Sequence, residues 1–203
     1  MFKKIAVAAV ATTFSLSASM SYAGPKAEVL HWWTSGGEAK SVAVLQKEFS
    51  ENGGTWTDMP VAGGGGDAAM TALRARVLSG NAPAAVQLKG PSIQEWYEEG
   101  ALADISDVAN KNNWSKVLPE SIAGHMKCEG KWCAAPVNVH RIDWIWANAS
   151  VLSSNGLSMP KTWEEFNATA KALQAKGIIP LAHGGQAWQD ATVFEAVALG
   201  IGG

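Results

Sequence analysis

The stretch Glu28-Val29-Leu30-His31-Trp32-Trp33-Thr34-Ser35-Gly36-Gly37-Glu38 decides the architecture. Glu28 to Trp33 reads as a short apolar strand, and Thr34 to Gly37 breaks it. Over 38–52, Val42, Leu45 and Phe49 then fall on one helical face, with Gly53 as a stop. The same alternation continues downstream. Thr55 to Val61 reads as a strand, Gly63 to Gly66 as a turn, and 67–79 as a helix with Met70, Leu73 and Val77 on one face. Ala84 to Leu88 reads as a buried strand, followed by a helix near Ile93 to Glu99. Strands alternating with helices predict an α/β sheet of mostly parallel strands.

Upstream, Lys3 and Lys4 precede an apolar stretch from Ile5 to Leu16, and Ser21-Tyr22-Ala23 fits a small-x-small cleavage site. The expectation is an export signal over 1–23, too short in its apolar part for the roughly 20 residues of a membrane span. Its removal takes away two lysines and no acid, which moves the net charge from −2 to −4. With 16 basic and 18 acidic residues in the whole chain, nucleic acid is excluded as a partner, because phosphate binding wants a basic excess. Export also gives Cys128 and Cys133 a meaning. They flank the turn-like Glu129-Gly130-Lys131-Trp132, and in an oxidising compartment a local disulfide is expected. The C-x4-C spacing speaks against a redox pair. His31, His125, His140 and His183 have no metal-ligand spacing with one another or with the cysteines, so no metal and no cofactor are expected.

The rhythm changes after about residue 113. Lys131 to Asn148 reads as a long strand-like stretch, and Pro160-Lys161-Thr162-Trp163 opens a helix in which Thr162 and Glu165 have capping-box spacing. Ile178 to Ala182 reads as a further buried strand, and a last helix is expected near 190–199.

Chemistry-bearing residues are few. Gly63-x-Gly65-x-x-Ala68 satisfies a dinucleotide fingerprint on paper. No acid lies between Asp67 and Glu95 to take the ribose, however, and a tight turn is the better reading. Trp32, Trp33 and Glu38 straddle a strand end and a helix start, where open α/β sheets place ligands. Indole faces stack on the C–H face of a pyranose, and a carboxylate accepts from two neighbouring hydroxyls. Ten tryptophans in 203 residues suit such a use. Core packing is the competing reading, although strand alternation allows at most one of two adjacent tryptophans in a given core. Gln87 and Lys89 recur at the next strand end as polar groups on one face; Lys89 is equally at home as a surface lysine. Nucleophile and zinc-protease signatures are absent. Paired carboxylates such as Glu38 with Asp143 leave an exported glycoside hydrolase open as the rival reading.

Three stretches together carry a resemblance: Trp32 to Glu38, Pro136 to Arg141, and Pro160 to Phe166. In order and spacing they resemble the sugar-binding proteins of bacterial ABC importers, the family 1 extracellular solute-binding proteins and especially their glucose/mannose-binding group. The resemblance implies a periplasmic binding protein type II-like fold of two α/β lobes joined by a hinge crossover. Lobe 1 would occupy 24–133, with the crossover and the start of lobe 2 in 134–203. It implies ligand contacts at Trp32, Trp33, Glu38, Gln87 and Lys89, with His140 and Trp188 nearer the crossover and second lobe. It also implies a monomeric periplasmic receptor for glucose or a similar hexose that delivers it to ABC importer permease subunits, with a chemoreceptor as a further partner. Members of that family run to about twice this length, so the chain is expected to be an N-terminal portion with both lobes incomplete.

Overall fold

The computed structural model describes residues 24–203 apart from 141 and 143. The expected export signal over 1–23 and the candidate acid Asp143 therefore lie outside the described residues. The first half is built on a three-stranded parallel sheet in the order β2-β1-β3. β1 (Lys26–His31) lies in the middle, flanked by β2 (Thr55–Pro60) and β3 (Ala85–Val86). The helix α1 (Gly36–Glu51) connects β1 to β2 and α2 (Asp67–Leu78) connects β2 to β3. Both are helical crossovers of the kind that parallel strands of one sheet require, α1 joining neighbours and α2 passing over the central strand. Leu30 pairs with Met59 on one side and Val86 on the other, so β1 runs in register with both neighbours.

Burial follows from this order. Leu30, on the central strand, is fully buried with Ala69 and Leu73 of α2 and with Trp96. Trp96 belongs to α3 (Ser92–Glu98), and the Arg74 guanidinium lies 5.2 Å over its ring. On the α2 flank, Arg76 reaches back to β1 and donates two hydrogen bonds of 2.6 Å to the Glu28 carboxylate. Val42 is the buried member of the α1 face, while Leu45 is exposed. Only one flank of that helix meets the sheet, so the apolar face expected at Val42, Leu45 and Phe49 is narrower than its spacing suggests.

Three short helices follow: α4 (Ser106–Lys111), α5 (Trp114–Val117) and α6 (Glu120–His125). Then β4 (Lys127–Cys128) and β5 (Lys131–Trp132) pair antiparallel. Glu129 and Gly130, both with positive φ (48° and 79°), make the two-residue turn. Cys128 and Cys133 are joined by a disulfide and packed against Ile93 of α3. The hairpin is thereby fastened to the first half, and Trp132 is buried beside Ala109 and Ala123 with the Lys127 ammonium 4.8 Å over its ring.

The second half departs from the sequence reading. Among the described residues of the strand-like stretch 131–148, only Lys131–Trp132 form a strand, and the stretch 178–182 forms none. Strand structure is non-local: it exists only where a neighbour supplies the ladder. Val137, Val139, Trp146 and Ile179 are exposed, so the composition of a buried strand is present there without a partner among the described residues. Three helices form in this half: α7 (Ala149–Ser154), which the sequence reading did not single out, and the two it expected, α8 (Trp163–Gln174) and α9 (Ala187–Gly202), the last running longer than the expected 190–199. Thr162 caps α8, its hydroxyl accepting from the Glu165 N–H at 3.2 Å. The Glu165 carboxylate reaches back to the Lys161 N–H at 2.6 Å, one residue before the cap. Among the described residues, no helix is long and apolar enough to cross a membrane.

Candidate functional site

The three parallel strands finish side by side at His31, Pro60 and Val86, so the loops beyond them share one edge of the sheet. The pairing continues one step further: the Val61 N–H donates to the His31 carbonyl at 2.8 Å, and the Gln87 N–H to the Leu30 carbonyl at 2.9 Å. This edge is where open α/β sheets bind ligands, and most of the expected site residues lie on it.

His31 ends β1 and is 5% exposed. Its Nε2 lies 2.9 Å from an Asp58 carboxylate oxygen, and the Trp56 indole N–H donates to the same oxygen at 3.0 Å. Burial pushes the Asp58 carboxyl up, but the Trp56 and His31 hydrogen bonds together with the His31 charge outweigh it and hold it below the usual carboxylate range. A polar pair therefore anchors the strand end under the tryptophans. Period-two spacing of Trp56 and Asp58 on β2 carries a trace of this pair, but which strand faces them was not legible.

Trp32 is half-buried. Its N–H donates to the Gln87 side-chain oxygen at 3.1 Å, which ties the turn after β1 to the loop after β3. Its indole lies against Gly66. Trp33 is 6% exposed and stacks on His140, with ring centroids 6.1 Å apart and planes 15° from parallel. The alternation expected of adjacent tryptophans thus sends them to opposite sides: Trp32 packs, half-buried, against the core around Leu30, and Trp33 is buried against His140. His140 is exposed and its Nε2 accepts from the Asn138 amide at 2.9 Å. The Lys89 ammonium donates to the Gly65 carbonyl at 2.6 Å. Trp188, in the first turn of α9 and 39% exposed, places its ring over Gly65 and donates its indole N–H to the Gln186 side chain at 2.9 Å. Glu38 is exposed in the first turn of α1, where a carboxylate complements the helix dipole. The structure thus joins Trp32 to Gln87, Trp33 to His140, and Lys89 to Trp188 through Gly65.

The glycine run forms a tight 3-10 turn over Gly64–Gly66, in keeping with a turn and not a nucleotide cradle. An open depression of about 690 Å³ lined by Gln94, Glu120, Ser121, Gly124, His125 and Lys127 lies elsewhere and shares none of these residues. Among the described residues no cluster of three or more His, Cys, Asp or Glu side chains could hold a metal ion. What the edge brings together is two indole faces with a few polar side chains beside them.

Comparisons with known proteins agree with that architecture. A "probable sugar-binding periplasmic protein" of Rhizobium meliloti is 50% identical over 200 residues, covering 98% of this chain and 48% of its own length. Its counterpart in Brucella melitensis is 53% identical over 175 residues, covering 86% of this chain and 42% of its own. The chain therefore spans about half the length of the curated relatives it matches. Among solved structures, a chitin oligosaccharide binding protein superposes with a TM-score of 0.65 at 22% identity, over 82% of this chain and 42% of that one. An ABC substrate-binding protein of Listeria monocytogenes in complex with cycloalternan gives 0.58 at 20% identity, over 74% and 39%. These two speak to the fold alone, which is that of substrate-binding proteins. The family model described as "Bacterial extracellular solute-binding protein" matches residues 33–203, and the chain belongs to that family.

Proposed function

We propose that this chain is the sugar-contacting part of a periplasmic receptor that binds a monosaccharide, glucose or a similar hexose, and hands it to the permease of an ABC importer. The observation that carries the reading is the meeting of Trp32 and Trp188 on adjacent glycines, at the carboxyl edge of the sheet and beside Lys89. Indole faces take up the C–H face of a pyranose, and Lys89, Gln87 and Glu38 are of the types that bond its hydroxyls. The names of the Rhizobium and Brucella relatives support a periplasmic, sugar-binding role. Trp188 comes from the segment expected to begin a second lobe. Closure of two lobes on the sugar would exclude water and strengthen each polar contact.

Calorimetry of the full-length protein with a hexose panel, with product analysis after prolonged incubation, tests the reading. Binding of one hexose without turnover is expected; hydrolysis of a glycoside would place the protein among the glycosidases instead. Glu38→Gln removes a charge-assisted acceptor and should weaken hexose binding about 10- to 150-fold, with the melting temperature of the free protein unchanged. A lowered melting temperature with intact affinity would make Glu38 a structural residue.

A further inference from the structure

The loop after β2 does more than turn the chain. We infer that Gly65 and Gly66 are positioning residues whose bare α-carbons seat the Trp188 and Trp32 indoles and so set the spacing of the two aromatic walls of the site. The inference rests on the sugar-receptor reading and names the device that tunes it.

Three groups distant in sequence converge on these two residues. A Cβ placed on Gly66 would lie 3.2 Å from three carbons of the Trp32 ring, and one on Gly65 would lie 3.1 Å from Cγ of Trp188. Carbon atoms in good contact sit about 3.5–4.0 Å apart, so either methyl would push its indole outward by a few tenths of an ångström. The third group is Lys89, whose ammonium holds the Gly65 carbonyl at 2.6 Å and fixes the loop against the end of β3. Trp32 arrives from the end of β1 and Trp188 from the start of α9. The loop is therefore the common support of both indoles.

Backbone conformation alone does not account for these glycines. Gly63 and Gly66 have similar positive φ, 99° and 108°, yet a Cβ on Gly63 would meet nothing within 4 Å. A methyl group at either position carries a similar left-handed penalty, and only the one at Gly66 presses on a ring. Gly63→Ala is thus an internal control for Gly66→Ala.

The test uses the full-length protein labelled with 5-fluorotryptophan, the resonances of Trp32 and Trp188 being identified by their loss in Trp32→Phe and Trp188→Phe. Gly66→Ala should move the Trp32 resonance and Gly65→Ala that of Trp188, whereas Gly63→Ala should move neither. Titration with glucose should show affinity weakened about 10-fold or more by Gly66→Ala and less than about threefold by Gly63→Ala, although both variants lower the melting temperature alike. The inference is overturned if Gly63→Ala moves the resonances as far as Gly66→Ala does. It is equally overturned if Gly66→Ala moves the Trp32 resonance while affinity holds. If the unmutated protein binds no sugar in the panel, the receptor reading fails by itself, and the seating of the two indoles is decided by the fluorine spectra.

Discussion

Replacing Gln87 separates positioning from ligand contact. Its side-chain oxygen accepts from the Trp32 N–H at 3.1 Å, and both residues are half-buried. Gln87→Leu removes the acceptor and leaves the N–H in a place water reaches only in part. The bond itself is worth about 0.5–1.5 kcal/mol net, and a donor left dry costs about 1–3 kcal/mol. Partial exposure puts the loss near 1 kcal/mol, which lowers the melting temperature by about 2–4 °C in a chain of this size. Gln87→Glu supplies the control: it keeps an acceptor oxygen for the Trp32 N–H and loses only the amide donors. Melting followed by far-ultraviolet circular dichroism should show the Leu variant destabilised and the Glu variant within about 1 °C of the original. Hexose affinity should fall in the Leu variant through the displaced Trp32. Should the Leu variant melt like the original protein, or the Glu variant fall as far as the Leu, the bond to Trp32 does not hold the site together.

The remaining expectations concern the frame. The Arg76 hydrogen bonds hold the Glu28 carboxyl below its usual range, so the pair stabilises the fold above the ordinary carboxylate value of about 4.3 and loses that effect as pH falls through the lowered value. Arg76→Met should flatten the fall of melting temperature below about pH 4, and an unchanged acid limb would remove the pair from the account. Protein alkylated without reduction should carry no label at Cys128 or Cys133, and double labelling would contradict the bridge. Converting both to Ala, which spares the buried sites a hydroxyl, should cost about 2 kcal/mol of stability on the chain-entropy model.

Where order is local or strongly periodic, the sequence was a good guide. The longer helices α1, α2, α8 and α9 came through because each closes its bonds within four residues, and the spacing of Thr162 and Glu165 announced the cap of α8; the short α4 to α7 span too few turns to show a period. The parallel core came through because Leu30 and Val86 sit in short apolar runs bounded by turn residues. The stretches 131–148 and 178–182 did not, because a strand depends on a neighbour that composition does not name. Trp144 and Trp146, 6.2 Å apart and tilted by 36°, show what strand-like side chains do outside a ladder: they pack on each other along the segment.

For the residues expected at the site, the partners were not legible in the sequence. Two adjacent tryptophans after a strand announce two opposite directions, and nothing in the run Trp32-Trp33 says which goes inside. The surroundings decide it. Beyond β1, the Trp33 side meets His140, a flat ring that stacks on it. The Trp32 side is the side of Leu30, where the indole packs against the core of Leu30, Ala69, Leu73 and Trp96 and lies against Gly66. A residue larger than glycine at 66 would displace the ring. Trp32 stays half-buried there. Chemical type at 32 and 33 is the same, so the difference in burial between them is set by their surroundings, the core and Gly66 on one side and His140 on the other.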